Sequence, residues 1–259
     1  MISYTVEEIK KILESAFDQL LFEEETHTYQ IGNKILPSVS KKLTRFYDAF
    51  DAEKIVIPYQ KKWNKENPDN QKSREDILNE WKRAGEIAAE KGSEIHAYAE
   101  EYPNFPEPKY PEQKGILEFF KKLPSHYEVV YIELRMHNHV FAGTADLILL
   151  NKKTNKLVIA DWKTNKDLFK NFKKKKLLIP FKNLLDTPIN KYKIQLNHYK
   201  MLIEDMTSLE VEDMWLIWLT QETDPSEKAM VSGDYYIQYR AYNWTKKLKQ
   251  YYGNLEIHI

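Results

Sequence analysis

The chain has 259 residues, 42% of them apolar, and carries 39 Lys+Arg against 39 Asp+Glu. That length suits one large domain or a domain with an added lobe, and the apolar share excludes a disordered chain. The formal charge is zero and cysteine is absent, which excludes disulfides, zinc ribbons and cysteine-held iron–sulfur clusters and leaves any metal to oxygen and imidazole ligands.

No run approaches the ~18 apolar residues of a membrane span, so no membrane is expected as a partner. Met1 to Lys11 has no cationic start followed by an apolar stretch, so no signal peptide is expected. The neutral total hides an uneven distribution, because Lys152 to Lys182 holds 11 Lys and two Asp. Such a stretch either binds a polyanion locally or is a solvated loop.

In chain order, Val6 to Phe22 places Ile9, Ile12, Leu13, Phe17 and Leu20 at helical spacing. Thr28 to Leu36 predicts a hairpin turning at Gly32-Asn33. Pro37 ends it, and Ser38 or Ser40 then caps a helix running towards Phe50. Asn67 to Lys72 is a loop. Ser73 to Glu101 is the longest helical pattern, started by Ser73 with Asp76 and open to a break near Gly92. A run of prolines ends it, and a further helix spans Pro111 to Leu123.

The period then falls to two. Glu128–Met136, Val140–Leu150 and Lys156–Lys163 read as three consecutive strands. Asp167 to Asn190 is a Lys-rich insertion with room for one short helix. Tyr192–Met206 is helical, Met214–Thr220 and Tyr235–Arg240 are strands, and Tyr242–Tyr252 is a closing helix. The class that fits is α/β, a mixed sheet begun by the 128–163 meander and flanked by helices.

Chemistry concentrates at the second turn of that meander. If Lys152 to Asn155 form the loop, Asn151 faces Lys156, and counting outward sets Asp146 against Asp161 with Cβ atoms ~4.5–5.5 Å apart. A slip of one residue would separate them. Lys163 shares the face of Asp161, whereas Trp162 points the other way. Two opposed carboxylates need compensation. Mg²⁺ or Mn²⁺, as one or two ions, supplies it through oxygen ligands. Lys163 bridging both acids as a structural ion cluster supplies it too.

The segments Gly143-Thr144-Ala145-Asp146 and Asp161-Trp162-Lys163, with Gly92-Ser93-Glu94-Ile95-His96 upstream and Gln195-Leu196-Asn197-His198-Tyr199 downstream, occur in the order of a known signature. Together they resemble the PD-(D/E)XK nuclease superfamily, in particular its RecB-like branch of phage exonucleases and the mitochondrial genome maintenance exonuclease. The resemblance covers about Gly92 to Met206. It implies a restriction-endonuclease-like core over 91–259, with an N-terminal helical and hairpin region, 1–90, packed on it. It also implies a metal site of His96, Asp146, Asp161 and the Trp162 backbone carbonyl, with Lys163, Gln195 and Tyr199 acting beside it. Glu100, one turn after His96, would orient the imidazole or do nothing. Glu133 matches an acidic position before the hairpin, or is an outward-facing strand residue.

The implied function is a metal-dependent DNA nuclease, an exonuclease acting on single- or double-stranded DNA with an end. Two alternatives stay open: a non-catalytic nucleic-acid-binding module with a structural acidic cluster, and a structure-specific endonuclease of the same fold. Lys166, Lys170, Lys173, Lys174, Lys175 and Lys176, interleaved with Phe169, Phe172 and Phe181, would follow a phosphate backbone while the rings stack on bases. Some members of the branch carry an iron–sulfur cluster, which this chain cannot hold. A bacterial or phage-infected cytoplasm is the expected location.

Overall fold

Alternating apolar side chains after Tyr127 build the central sheet. In the computed structural model, which describes residues 4–222 and 229–256, β4 (Tyr127–His137), β5 (Ala142–Asn151) and β6 (Lys156–Lys163) form an antiparallel meander. Next to β6 lies β7 (Val211–Leu219) in parallel, then β9 (Tyr236–Arg240) and the short β8 (Val231–Ser232), in the order β4-β5-β6-β7-β9-β8. A parallel neighbour requires a crossover. Helix α6 (Pro188–Met206) supplies it, starting on Pro188 at its first turn, where the missing N–H is no loss.

The sheet is mixed, has six strands and is covered on both faces. One face packs against α1 (Val6–Phe17), α2 (Val39–Leu43), α6 and α7 (Thr245–Glu256), burying Ile9, Leu13, Ile148, Ile159, Leu202 and Leu248 among others. The other face packs against α5 (Pro111–Lys122) and the end of α4 (Arg74–Glu100), with Trp162 edge-on to Phe119 at 5.1 Å. The strands β1 (Leu20–Glu23), β2 (Thr28–Ile31) and β3 (Lys34–Leu36) form a separate antiparallel sheet. No helix among the described residues is long and apolar enough to cross a membrane.

Several expected boundaries move. The first helix stops at Phe17 instead of reaching Phe22, because Leu20–Glu23 pairs with Thr28–Ile31 and Leu20 alternates rather than spirals. Ser38 does cap a helix, through its hydroxyl to the Lys41 amide, but that helix ends at Leu43 and a 3₁₀ turn ends at Phe46. A separate helix, α3 (Ala52–Glu66), follows, capped by Asp51. Strand β5 begins at Ala142, two residues later than the alternation suggests. The start of α4 is the capping box of Ser73 and Asp76. The helix runs through Gly92 without a break, since one interior Gly weakens a helix by only ~1 kcal/mol.

The insertion after β6 contains no helix before Pro188. Leu168, Leu177 and Phe181 anchor it in the core instead, and the Asn171 side chain ties it internally by donating to the carbonyls of Lys175 and Asp186. Phe181 is therefore buried, and Phe169 packs beside Trp218 and Tyr239, so neither ring is free to stack on a base. Of the three phenylalanines, only Phe172 is exposed.

Candidate active site

The β5–β6 register runs from Asn151–Lys156 to Leu147–Ala160. The next step would pair Asp146 with Asp161, and there the ladder ends. The Asp146 carboxylate instead accepts the Trp162 amide at 2.7 Å, so a side chain completes the bonding that the backbone stops providing. Both acids are buried, at 6% and 1% exposure, on the face that also carries Lys163, while Trp162 fills the opposite core.

Glu133 reaches the same place by an unusual route. It lies between the pairs Ile132–Leu147 and Leu134–Ala145, downstream of a β-bulge in β4, with a left-handed φ of +54°. A non-glycine residue so held stores roughly 1–3 kcal/mol of strain, which persists where the surroundings over-determine it. Here its carboxylate lies 3.5 Å from His96 Nδ1, and His96 Nδ1 lies 3.5 Å from Asp146 Oδ2. Ligand atoms of His96, Glu133 and Asp146 all fall within 4.8 Å of one another.

Asp161 lines the same cavity, and its carboxylate holds the Lys163 ammonium at 2.5 Å. The ring of Tyr192, on α6, faces that ammonium at 4.7 Å. Also from α6, Gln195 Nε2 donates to the Tyr199 hydroxyl at 2.9 Å, and both side chains line the cavity. Gly143 makes room for Tyr199, since a Cβ there would come within 2.9 Å of Tyr199 Cε1 and of Val39 Cγ2. The cavity measures about 220 Å³ and is lined also by Tyr29 of the small sheet and by His27 in the turn that leads into it.

Burial and mutual repulsion set the protonation states. Asp146, with burial the main cause, is held above the usual carboxylate range. Asp161 is pushed up to about 6, by burial first and by Asp146 second. His96 is pushed up to about 9 by the Asp146 charge, against its own desolvation. Desolvation opposes the charge on Lys163, but Asp161 and Asp146 outweigh it and raise the ammonium above its ordinary range. The site carries an excess of acid that protons relieve when nothing else does.

A divalent cation fits these residues. Two hard carboxylates and a borderline imidazole, without a thiol, make a donor set that accepts Mn²⁺ or Mg²⁺. Gln195 Oε1 is buried in the same cavity without a hydrogen-bond partner among the described residues, which costs about 1–3 kcal/mol unless a donor is supplied.

His96, Asp146, Asp161, Lys163, Gln195 and Tyr199 thus converge, and Glu133 joins them as a direct neighbour of His96. Trp162 contributes its amide to Asp146. Glu100 is exposed on α4 and makes no hydrogen bond or ion pair to His96 among the described residues. Lys166, Lys170 and Lys173 to Lys176 are exposed and lie outside this cavity; Lys175 pairs with Asp48 at 2.8 Å. Several lining residues carried no expected role, Thr144 and Tyr29 among them. Thr144 sits two positions before Asp146 on the same strand face, a signal that was available. Tyr29, whose hydroxyl bonds the Thr144 hydroxyl at 2.9 Å, comes from a remote hairpin and gives no local signal.

No known protein-family model matches the chain, and a search of the curated proteins finds no match.

Proposed function

We propose that this chain is a Mg²⁺- or Mn²⁺-dependent deoxyribonuclease. It hydrolyses phosphodiester bonds on a restriction-endonuclease-like core and works as an exonuclease from DNA ends, in recombination, repair or replication. The observation that carries the reading is one cavity holding a His96–Glu133–Asp146 ligand set beside the Asp161–Lys163 pair. The preference for an exonuclease comes from the likeness of the four motifs to the RecB-like branch.

His96, Glu133 and Asp146 hold the cation, with Asp161 next to them. When bound, the cation lowers the pKa of a coordinated water and offsets the charge that develops on the phosphate. Lys163 keeps its proton, so it acts as a donor to a phosphate oxygen and not as a base. Asp161, pushed up to about 6, is placed to take the proton of the attacking water. Gln195 and Tyr199 orient the phosphate from α6. The buried walls keep bulk water from screening these charges.

End-labelled single- and double-stranded oligonucleotides, incubated with Mn²⁺ or with EDTA, test the reading. Shortening in Mn²⁺ alone is expected, and Asp161→Ala or Lys163→Ala should slow it by roughly 10²–10³-fold. Full cleavage by either variant would overturn the assignment. Digestion of closed circular DNA would replace the exonuclease by an endonuclease. Binding that never shortens DNA would leave only a binding module.

A further inference from the structure

Phenylalanine side chains are ordinarily buried, yet Phe172, on the Lys-rich insertion, and Phe50, just before α3, are each 67% exposed. Both line one groove of about 310 Å³, which Lys191 of α6 also lines. Two exposed rings in one concavity mark a binding surface more than a packing accident. We propose that this groove is the subsite for unpaired bases of a single-stranded nucleic acid, an inference that rests on the nuclease reading and specifies its substrate.

Charge selects that occupant. The acids of the groove are committed within the protein. Asp48 pairs with Lys175 at 2.8 Å, Asp186 with Lys191 at 2.7 Å, and Asp167 accepts the amides of Phe169 and Lys170. Of the groove's three lysines, Lys170 makes no ion pair among the described residues and has its ammonium 5.4 Å from the Phe172 ring centroid; Lys173, Lys174 and Lys176, next along the same segment and outside the lining, are exposed and likewise make no ion pair among the described residues. Exposed aromatic rings beside ammonium groups without acidic partners on the same segment match a chain of phosphates carrying flat bases. A duplex keeps its base faces stacked inside and offers the rings nothing.

Position selects the same occupant. Lys191 forms a wall of the groove, and its ammonium caps the Tyr47 ring at 3.9 Å. The next residue on α6, Tyr192, faces the Lys163 ammonium at 4.7 Å. Groove and carboxylate cavity are therefore both lined from α6, by Lys191 in one and by Gln195 and Tyr199 in the other, as needed if one strand is to reach both.

The test is the double variant Phe50→Ala/Phe172→Ala in the full chain, both rings being exposed so that the core is untouched. Binding of a labelled single-stranded oligonucleotide and of the matching duplex is measured by anisotropy in EDTA. Mn²⁺-dependent hydrolysis of bis(p-nitrophenyl) phosphate, which brings no strand to the groove, reports on the carboxylate cavity separately. Stacking losses predict single-strand binding weaker by about tenfold or more, with duplex binding and small-ester hydrolysis changed less than about twofold. Unchanged single-strand affinity, as when the groove takes a protein segment instead, overturns the proposal, and so does equal loss on both DNA forms. Absence of small-ester hydrolysis in the parent chain would sink the nuclease reading alone, while the binding comparison still decides the groove.

Discussion

The Asp146 carboxylate accepts the backbone amide of Trp162 at 2.7 Å, across the gap where the β5–β6 ladder stops. This bond locks one acid to the strand that carries the other. It also places a buried charge beside a second one, an arrangement that disfavours the metal-free protein and favours a cation.

Cation binding should therefore stabilise the fold. Mn²⁺ at a hundredfold excess over its Kd should stabilise the protein by about 2.7 kcal/mol, read as a rise in Tm. His96→Ala and Asp146→Ala should abolish the rise. The proton on His96 must leave before the imidazole can ligate, and its pKa is pushed up to about 9, so Mn²⁺ affinity should climb with pH up to that value. Titration at pH 6 and pH 8.5 checks this; equal affinities would refute it.

Glu133 separates strain from function. Glu133→Gly should lose Mn²⁺ binding yet hold or gain stability by up to about 1 kcal/mol, because glycine accepts the left-handed φ that glutamate does not. Glu133→Ala should lose the metal and keep the strain. Urea unfolding in EDTA distinguishes the two variants.

Gly143 is fixed by a neighbour. Gly143→Ala would press a methyl against Tyr199 and Val39, destabilising by roughly 1–3 kcal/mol and displacing the tyrosine from the cavity. Restored stability on adding Tyr199→Phe, with the clash unchanged, would contradict this account.

His198 makes the fold acid-sensitive away from the site. Fully buried between the Ile194 carbonyl and the Tyr252 hydroxyl, it is held down to about 4 by desolvation. Its folded value is below its unfolded value of ~6.5, so its contribution is complete above ~6.5 and lost as pH falls through 4, up to about 3 kcal/mol. Unfolding free energies from pH 7 to pH 4 should slope less steeply in His198→Gln.

The parts legible in the sequence were those written in short-range periodicity. The meander, the Asn151–Lys156 register and the common face of Asp161 and Lys163 follow from a period of two and a short turn. The convergence of His96 follows only from the order of the motifs, since nothing local says where α4 points. Glu133 was ambiguous because the bulge and the left-handed φ reset the alternation that sequence counting assumes. Tyr29 and Phe50 were illegible, as each acts through contacts with residues far along the chain. The Lys-rich insertion was misread in part. Its phenylalanines look alike in sequence, and only the tertiary core decides that Phe181 goes in and Phe172 stays out.

Helix α4 is a single unbroken rod of 27 residues, exposed on every side from residue 82 to 90 and bearing His96 near its inner end. A rod without a hinge works as a lever. A load on its outer turns would be carried inward to the imidazole, which stands 3.5 Å from the Asp146 carboxylate of the sheet.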